Sequence, residues 1–579
     1  MGNTNFVHAA QLADLSETGC KTVQLNGHTI AIFARNGHVF AVDNRCPHMG
    51  FPLDQGTVKD GILTCNWHYA RFDLESGGTF DQWADDVRAF PAEVRDGEVW
   101  VDLARHSDPK EHQRDRLKVG LERNISLVIG KAVLTLMDGG ADDGLEPFRA
   151  GLEFGSKYRQ AGWGQGLTIL ACMMNMLPHL DAADKPRALY QGLSAVASDT
   201  AGWAPRFPIR PLPTDSNDIA TLKRWFRQFI EVRDAQGAER CIISAIRAGA
   251  SHAEIADMFF AAVTDHRYLT VGHVADFTNK AFEALDLAGW EYAEPVLTSL
   301  TTAYAMADRM EESNAWRHPI DLIDILHNVF AKLPDLLEEG EAKRGTWHDR
   351  FGMTDTLLSD NPQAIADTLM AALANGATEV ELAEAVTYAA ALRIARFHTS
   401  NEFGDWDTAL HTFTFSNAIM QGLHRAPSVE LLRGVFDAAM SVYLDRFLNI
   451  PAAKVPQPNG NGAITADLLS QFPSLLDRQQ QVNEAGQLVA KYLYADGNAA
   501  AMKAMLGRLL LREDRDFHTI QTVETAFNLN KILDGTPEAV HALVAAARYL
   551  AAHAPTVRSQ GQTYQIAHRL HRGDHLFEE

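Results

Sequence analysis

Residues 46–68, CPHMGFPLDQGTVKDGILTCNWH, carry two cysteines and two histidines as Cys-x-His, sixteen residues, then Cys-x-x-His. Four metal-binding side chains so close together imply two short loops held side by side. Zinc clips pair cysteine with cysteine and histidine with histidine along the chain. Here each loop offers one thiolate and one imidazole. A two-iron cluster with two thiolates on one iron and two imidazoles on the other is served by two such loops. Zinc stands as the alternative.

Residues 1–104 around this stretch read as β. HTIAIFARNGHVFAV (28–42) alternates about Asn36-Gly37, a pair suited to a hairpin turn in which both residues have positive φ. VRAFPAEVRDGEVWVDL (87–103) repeats the device at Asp96-Gly97. With these features in place, the stretch resembles the Rieske ferredoxin family over residues 5–104. CPHMGFPL (46–53) resembles the family's first cluster loop, and CNWHYARFDLESGGTF (65–80) its second loop and following hairpin. The resemblance implies a [2Fe–2S] cluster with Cys46 and Cys65 on one iron and His48 and His68 on the other. Respiratory members carry an extra cysteine in each loop, joined as a disulfide. Phe51 and Trp67 occupy those neighbourhoods here. That implies the ferredoxin or oxygenase type, toward the low end of a range of about −150 to +300 mV. Such a cluster passes single electrons and does no bond chemistry alone.

Composition bounds the rest. At 579 residues, two to four domains are expected. A net charge of −22 argues against a nucleic-acid partner. The polar start, MGNTNFVHAAQLADL, has no signal-peptide order, and no apolar run is long enough for a membrane span. Five cysteines form no disulfide framework, so a reducing cytoplasm is expected. Cys20, Cys172 and Cys241 read as packing residues.

ARHSDPKEHQRDR (104–116) is charged, nearly free of apolar residues and interrupted by Pro109. It reads as a linker over 105–116, after a first domain of 1–104. Beyond it, residues 117–579 show helical spacing of Ala, Leu and Met with few strand signals. GASHAEIADMFFAAV (249–263) and GATEVELAEAVTYAA (376–390) each open on a capping box, Ser251 with Glu254 and Thr378 with Glu381. Residues 205–218 and 451–462 read as irregular loops. The expected fold is multidomain: an all-β Rieske-type domain, then a large all-α domain.

The helical region must say what the electrons are for. A mononuclear iron in a mixed α+β oxygenase domain usually uses a close histidine pair. His571 and His575 have that spacing, but they sit at the chain's end. A di-iron bundle needs two Glu-x-x-His sequences, which the helical region lacks. Four segments instead resemble the questin oxidase family of flavin-free oxygenases that act on aromatic polyketides. They are GHVADFTNKAFEALD (272–286), DWDTALHTFTFSNAIMQGLHRAP (405–427), LLRGVFDAAMSVYLDRFLNIP (431–451) and DRDFHTIQTVETAF (514–527). The resemblance runs in order over residues 150–555. It implies a mononuclear non-haem iron(II) held mainly by histidines, with His273, His411 and His518 at the matching positions. Gln165 and Gln521 depart from the family's pattern, standing where it has an early histidine and a lysine.

His179, His266, His327 and His398 are candidates to complete the shell. His266 and His273 are seven apart, which on one helix shares a face. Asp276, Lys280 and Glu283 read either as pocket residues or as a surface ladder of ion pairs. Trp163, Trp203, Trp290, Trp316 and Trp406 read as core or as walls of an aromatic-binding cavity. The expected function is an O2-dependent oxygenase of an aromatic or apolar small molecule. No dinucleotide fingerprint follows a strand, so a separate NAD(P)H-dependent reductase is expected to load the cluster. Homo-oligomerisation is left open. The alternative is a Rieske electron carrier or redox sensor whose α domain is a metal-free ligand-binding or interaction scaffold.

Overall fold

The computed structural model describes residues 6–104, 108–140, 143–213, 218–457, 465–574 and 576. It has a β-rich unit, Met1–Pro147 with Ser559–Glu579, and a helical unit, Phe148–Arg558. The β-then-α order agrees with the sequence.

Ten strands build the β-rich unit: β1 Phe6–Gln11, β2 Cys20–Leu25, β3 His28–Arg35, β4 His38–Asp43, β5 Thr57–Lys59, β6 Ile62–Thr64, β7 Arg71–Asp73, β8 Ala89–Phe90, β9 Ala92–Arg95 and β10 Glu98–Asp102. They form three sheets, ordered β1-β10-β9, β2-β3-β4-β8 and β5-β6-β7, with every pairing antiparallel. Two-residue turns set the registers. Asn36-Gly37 and Asp96-Gly97 have positive φ at both positions, as expected, and so do Asn26-Gly27 and Asp60-Gly61. Each fixes the partner of the flanking residue, such as Arg35 with His38 and Lys59 with Ile62.

Alternation then sends one residue set inward. Ile30, Ile32, Ala41, Val99 and Val101 pack one core. Phe33, Val42, Leu63 and Phe72 pack a second, which includes Cys46 and Cys65. Burying each large apolar side chain contributes roughly 1.5–3 kcal/mol, so the loops bearing the cysteines are tied to the core itself.

The linker expected over 105–116 is a correction. Residues 105–107 lie outside those described. From Pro109 to Arg123 the chain is a helix. Asp108 accepts a hydrogen bond from the Lys110 N–H, and Pro109 occupies the first turn, where its missing donor costs nothing. The proline starts a helix rather than interrupting a coil. Its polar residues have polar partners. His112 Nε2 lies 2.8 Å from Asp85 Oδ1, and Gln113 Nε2 donates to Asp85 Oδ2 at 2.9 Å. Arg116 donates to the carbonyls of Gln82 and Ala84 at 3.0 and 2.6 Å. The boundary at 104 is corrected too. This helix, Ser126–Leu136 and the last helix, Ser559–His571, belong to the β-rich unit.

In the helical unit both expected capping boxes are formed, opening His252–Val263 and Glu379–Ala395. Three of its helices matter most below: His273–Ala288, Phe403–Arg425 and Phe517–Ile532.

Two candidate metal centres

The two loops of the first centre close alike. The Cys46 N–H donates to the Phe51 carbonyl and the Gly50 N–H to the Cys46 carbonyl, both at 2.8 Å. In the second loop the Cys65 N–H donates to the Ala70 carbonyl at 2.8 Å and the Tyr69 N–H to the Cys65 carbonyl at 2.9 Å. The fourth residue after the cysteine's own position is left-handed in both, Gly50 with φ 83° and Tyr69 with φ 64°. This geometry turns following backbone N–H groups onto sulfur: those of His48 and Met49 for Cys46, and of Trp67 and His68 for Cys65. Such donors stabilise thiolate.

Both cysteines are buried and free. The Cys46 thiol is pushed up by its hydrogen bond with Cys65 and by burial. That same hydrogen bond pulls Cys65 down to about 6, against burial. The His48 and His68 rings meet edge to face with centroids 4.9 Å apart, and Trp83 packs on His48 at 4.7 Å. His48 Nδ1 is buried with no hydrogen-bond partner. Burial, His68 and Lys131 together push His48 down to about 4, so the ring is neutral and its nitrogen free to ligate. Two thiols, two imidazoles and an orphaned ring nitrogen fit a [2Fe–2S] cluster with mixed ligands.

The second centre is assembled from three helices. His273, His411 and His518 each present a nitrogen, and these atoms lie within 4.8 Å of one another. His411 Nε2 and His518 Nε2 are 3.1 Å apart. His273 lies 4.6 Å from His411 and 5.7 Å from His518, ring centroid to centroid. All three are half-buried. Burial and the two neighbouring imidazoles push His411 down to about 3. Burial also lowers His518, with Asp407 opposing. Carboxylates stand behind two of the rings: Asp276 Oδ2 3.1 Å from His273 Nδ1, and Asp407 Oδ2 3.7 Å from His518 Nδ1. Tyr549 OH donates to Asp407 Oδ1 at 2.7 Å. A carboxylate on one ring nitrogen fixes the tautomer and leaves the other nitrogen as a lone-pair donor.

A strained segment delivers His273. Tyr268, Thr270 and Val271 have φ of 49°, 46° and 49°, and Gly272 follows at 94°. A β-branched residue there costs about 1–3 kcal/mol. A Cβ on Gly272 would lie 2.8 Å from Phe415 Cβ, so the glycine lets this segment lie against the Phe403–Arg425 helix. His411 also lines a cavity of about 480 Å3 with Tyr268, Trp316, Pro319 and Phe447. Its polar lining includes Asp445, whose Oδ2 accepts from Thr412 Oγ1 at 2.7 Å. Burial, only partly offset by Thr412 and Arg393, raises Asp445 to about 7.

Several sequence expectations are corrected. His266 does not share a helix face with His273, because the left-handed segment intervenes. His266 is held by Glu231 and Glu311, each at 2.7 Å. His327 is exposed, His398 bonds Ser400, and His179 packs on Phe527. His571 belongs to the β-rich unit, and His575 lies outside the described residues. Gln165 is exposed at the start of its helix, whereas Gln521 is buried with an unpartnered Oε1. Of the five tryptophans named as candidates, Trp316 walls the cavity and Trp203 is exposed.

The surface-ladder reading of Asp276, Lys280 and Glu283 fails, since Asp276 and Lys280 are each 2% exposed. Lys280 Nζ donates to Glu283 at 2.8 Å and to Glu524 at 2.7 Å, and Asn175 reaches both carboxylates. Asp407 and Asp445 escaped notice in the sequence. Asp407 carried a usable signal, four residues before His411 and so on one helix face.

The Rieske [2Fe-2S] domain family matches residues 5–91. The ferredoxin component of the p-cumate 2,3-dioxygenase system of Pseudomonas putida is 32% identical over 106 residues, which is 18% of this chain and 90% of that protein. The oxygenase subunit of vanillate O-demethylase from a Pseudomonas species is 41% identical over 69 residues, 11% of this chain and 21% of that one. Among solved structures, the ferredoxin of carbazole 1,9a-dioxygenase from Nocardioides aromaticivorans IC177 is 24% identical, with 17% of this chain and 98% of that chain covered and a TM-score of 0.17. These likenesses all lie in less than a fifth of the chain.

Proposed function

Because the chain belongs, through its N-terminal domain, to the Rieske [2Fe–2S] family, we propose that it is an oxidoreductase whose cluster feeds electrons to an O2-dependent site in the helical unit. The observation that carries the reading is the meeting of His273, His411 and His518 beside an apolar cavity. These are the three histidines matched to the questin oxidase family from sequence. A neutral three-imidazole set suits a divalent first-row metal, and iron(II) is a redox-active member of that set that a single-electron donor can serve. When bound, the cluster supplies electrons one at a time and the iron supplies dioxygen activation.

The chain's own residues do the rest. Cys46, His48, Cys65 and His68 hold the cluster. Asp276 and Asp407 orient two of the ligand rings. Buried Tyr268 and Trp316, with Pro319 and exposed Phe447 at the rim, offer flat apolar surface in the cavity. The substrate class that fits is a small aromatic or otherwise apolar molecule. Asp445, titrating near neutrality, holds or releases a proton at the cavity wall, with Thr412 fixing its Oδ2. A separate NAD(P)H-dependent reductase loads the cluster, as the p-cumate relative is itself one component of a system.

Nitric oxide tests the site without knowledge of the substrate. The reduced protein, treated with nitric oxide, is expected to give a half-integer high-spin iron–nitrosyl resonance that is lost in a His411→Ala, His518→Ala double variant. No such resonance in an iron-replete protein overturns the reading. A second reading, an electron carrier or redox sensor with a metal-free helical unit, is favoured by Gln521 and by the hydrogen-bonding distance between His411 and His518.

A further inference from the structure

The Lys131 ammonium donates a hydrogen bond to the carbonyl of Pro47, the residue between Cys46 and His48. Lys131 is carried on the helix Ser126–Leu136, beyond the family match, which ends at residue 91. We propose that Lys131 sets the reduction potential of the cluster, raising it above the value the two loops alone would give.

The geometry fixes the position of this ammonium. The helix is held by its apolar face, with Val128, Ile129, Ala132 and Val133 buried. It packs closely on Pro109–Arg123, where a Cβ on Gly120 would lie 2.8 Å from Ile129 Cγ1. That helix is in turn pinned to residues 82–85 through His112, Gln113 and Arg116. On the other side of Cys46, Arg45 donates to the Leu570 and Asp574 carbonyls at 2.9 and 2.6 Å. The first cluster loop is therefore gripped on both flanks by the helical additions of its own unit.

Burial, opposed by Asp85 and Cys46, pulls the Lys131 ammonium down to about 8, so it carries its charge below that pH. A cavity of about 270 Å3 beside the loop is lined by Asp43, Asp85, Asp86, Arg45, Arg88 and Lys131, three carboxylates against three cations. Asp85 bonds His112, Gln113 and Arg116, and its charge also acts on Lys131, offsetting part of that cation's field. Lys131 is the cation of this set whose hydrogen bond enters the cluster loop. Reduction adds one electron to the cluster. A positive charge held nearby in a poorly polarisable interior stabilises the reduced state more than the oxidised one. Missing disulfide cysteines argue for a low potential, and Lys131 works in the opposite direction.

Redox titration of the full-length protein, followed by the electron paramagnetic resonance of the reduced cluster, reads this directly. At the wild-type midpoint, Lys131→Met is expected to lower the ratio of reduced to oxidised cluster about tenfold, equivalent to about 59 mV for one electron. Lys131→Arg should restore most of it. Lys110→Met removes the same charge from the neighbouring helix, where Lys110 bonds the Asp138 carbonyl at 3.0 Å, and should leave the ratio unchanged. A Lys131→Met ratio within twofold of wild type, or an equal shift in Lys110→Met, overturns the proposal. Loss of the cluster in Lys131→Met, with Lys131→Arg and wild type alike, overturns it too, reducing Lys131 to a loop clamp. The readout needs no substrate, so it stands apart from the fate of the oxygenase reading.

Discussion

The two candidate centres differ in how their residues are brought together. Cys46, His48, Cys65 and His68 sit on two loops that hairpins place side by side within a short stretch of chain. His273, His411 and His518 sit on three helices that meet only when the helical unit has packed. A local centre advertises itself in sequence through spacing. A dispersed centre has no spacing to read, and what marks it is the chemistry around each residue: a carboxylate three or four positions away, a strained approach, a buried charge.

The largest expected separation between the centres comes from Cys65→Ser. It should abolish the cluster's resonance and remove about two irons per chain, leaving the three-histidine site loaded. Retention of the resonance would remove Cys65 from the ligand set.

Next is Lys280→Met, which leaves Glu283 and Glu524 buried without their cation. Stability should fall by about 3–5 kcal/mol in urea unfolding of the helical unit. Burial raises Glu524, while Lys280, against burial, lowers Glu283, as expected when one cation serves two carboxylates. A loss under about 1 kcal/mol would mean that the cluster is not the buried ion network described.

Asp407→Asn should weaken metal binding at the three histidines by roughly 10–100-fold while leaving the cluster untouched. Equal loss at both centres would point to general unfolding instead.

The smallest effect is on pH dependence in the β-rich unit. Burial opposes ionisation of Asp85, yet hydrogen bonding to His112 and the charge of Lys131 hold its carboxyl well below the usual range. The hydrogen bond to Asp85 raises His112. The Asp85 contribution is thus present above its unfolded value of about 3.9 and is lost as pH falls through the depressed folded value. The His112 contribution is complete below its unfolded value of about 6.5 and is lost as pH rises through the raised folded value. The urea midpoint of wild type should therefore exceed that of His112→Gln at about pH 5.5, with the gap closing toward about pH 8.5. A constant gap would contradict the pairing.

Much of the β-rich unit was legible because its devices are local. Asn36-Gly37 and Asp96-Gly97 fix registers by backbone conformation, and the cysteine and histidine order, with the family resemblance, points to the cluster type. The Asp108-Pro109 helix start looks like a break in the sequence, since a charged segment without apolar residues shows no folding signal apart from its polar partners on residues 82–85. In the helical unit, sequence singles out His273, His411 and His518 one at a time, through a resemblance that none of the family and structural likenesses reaches. Their convergence was not legible, because it depends on three helix packings. His266 misled because helical spacing was assumed across a segment that Tyr268, Thr270 and Val271 turn left-handed. Gln165 is exposed and Gln521 is buried with an unpartnered Oε1, so of the two only Gln521 is placed in the interior of the helical unit.

Iron content measured together with the cluster resonance tests the central claim most directly. The account predicts about three irons per chain in wild type, falling to about two in the His411→Ala, His518→Ala double variant with the resonance intact. An iron content of about two in both proteins would contradict it and leave the chain an electron carrier with a metal-free helical unit.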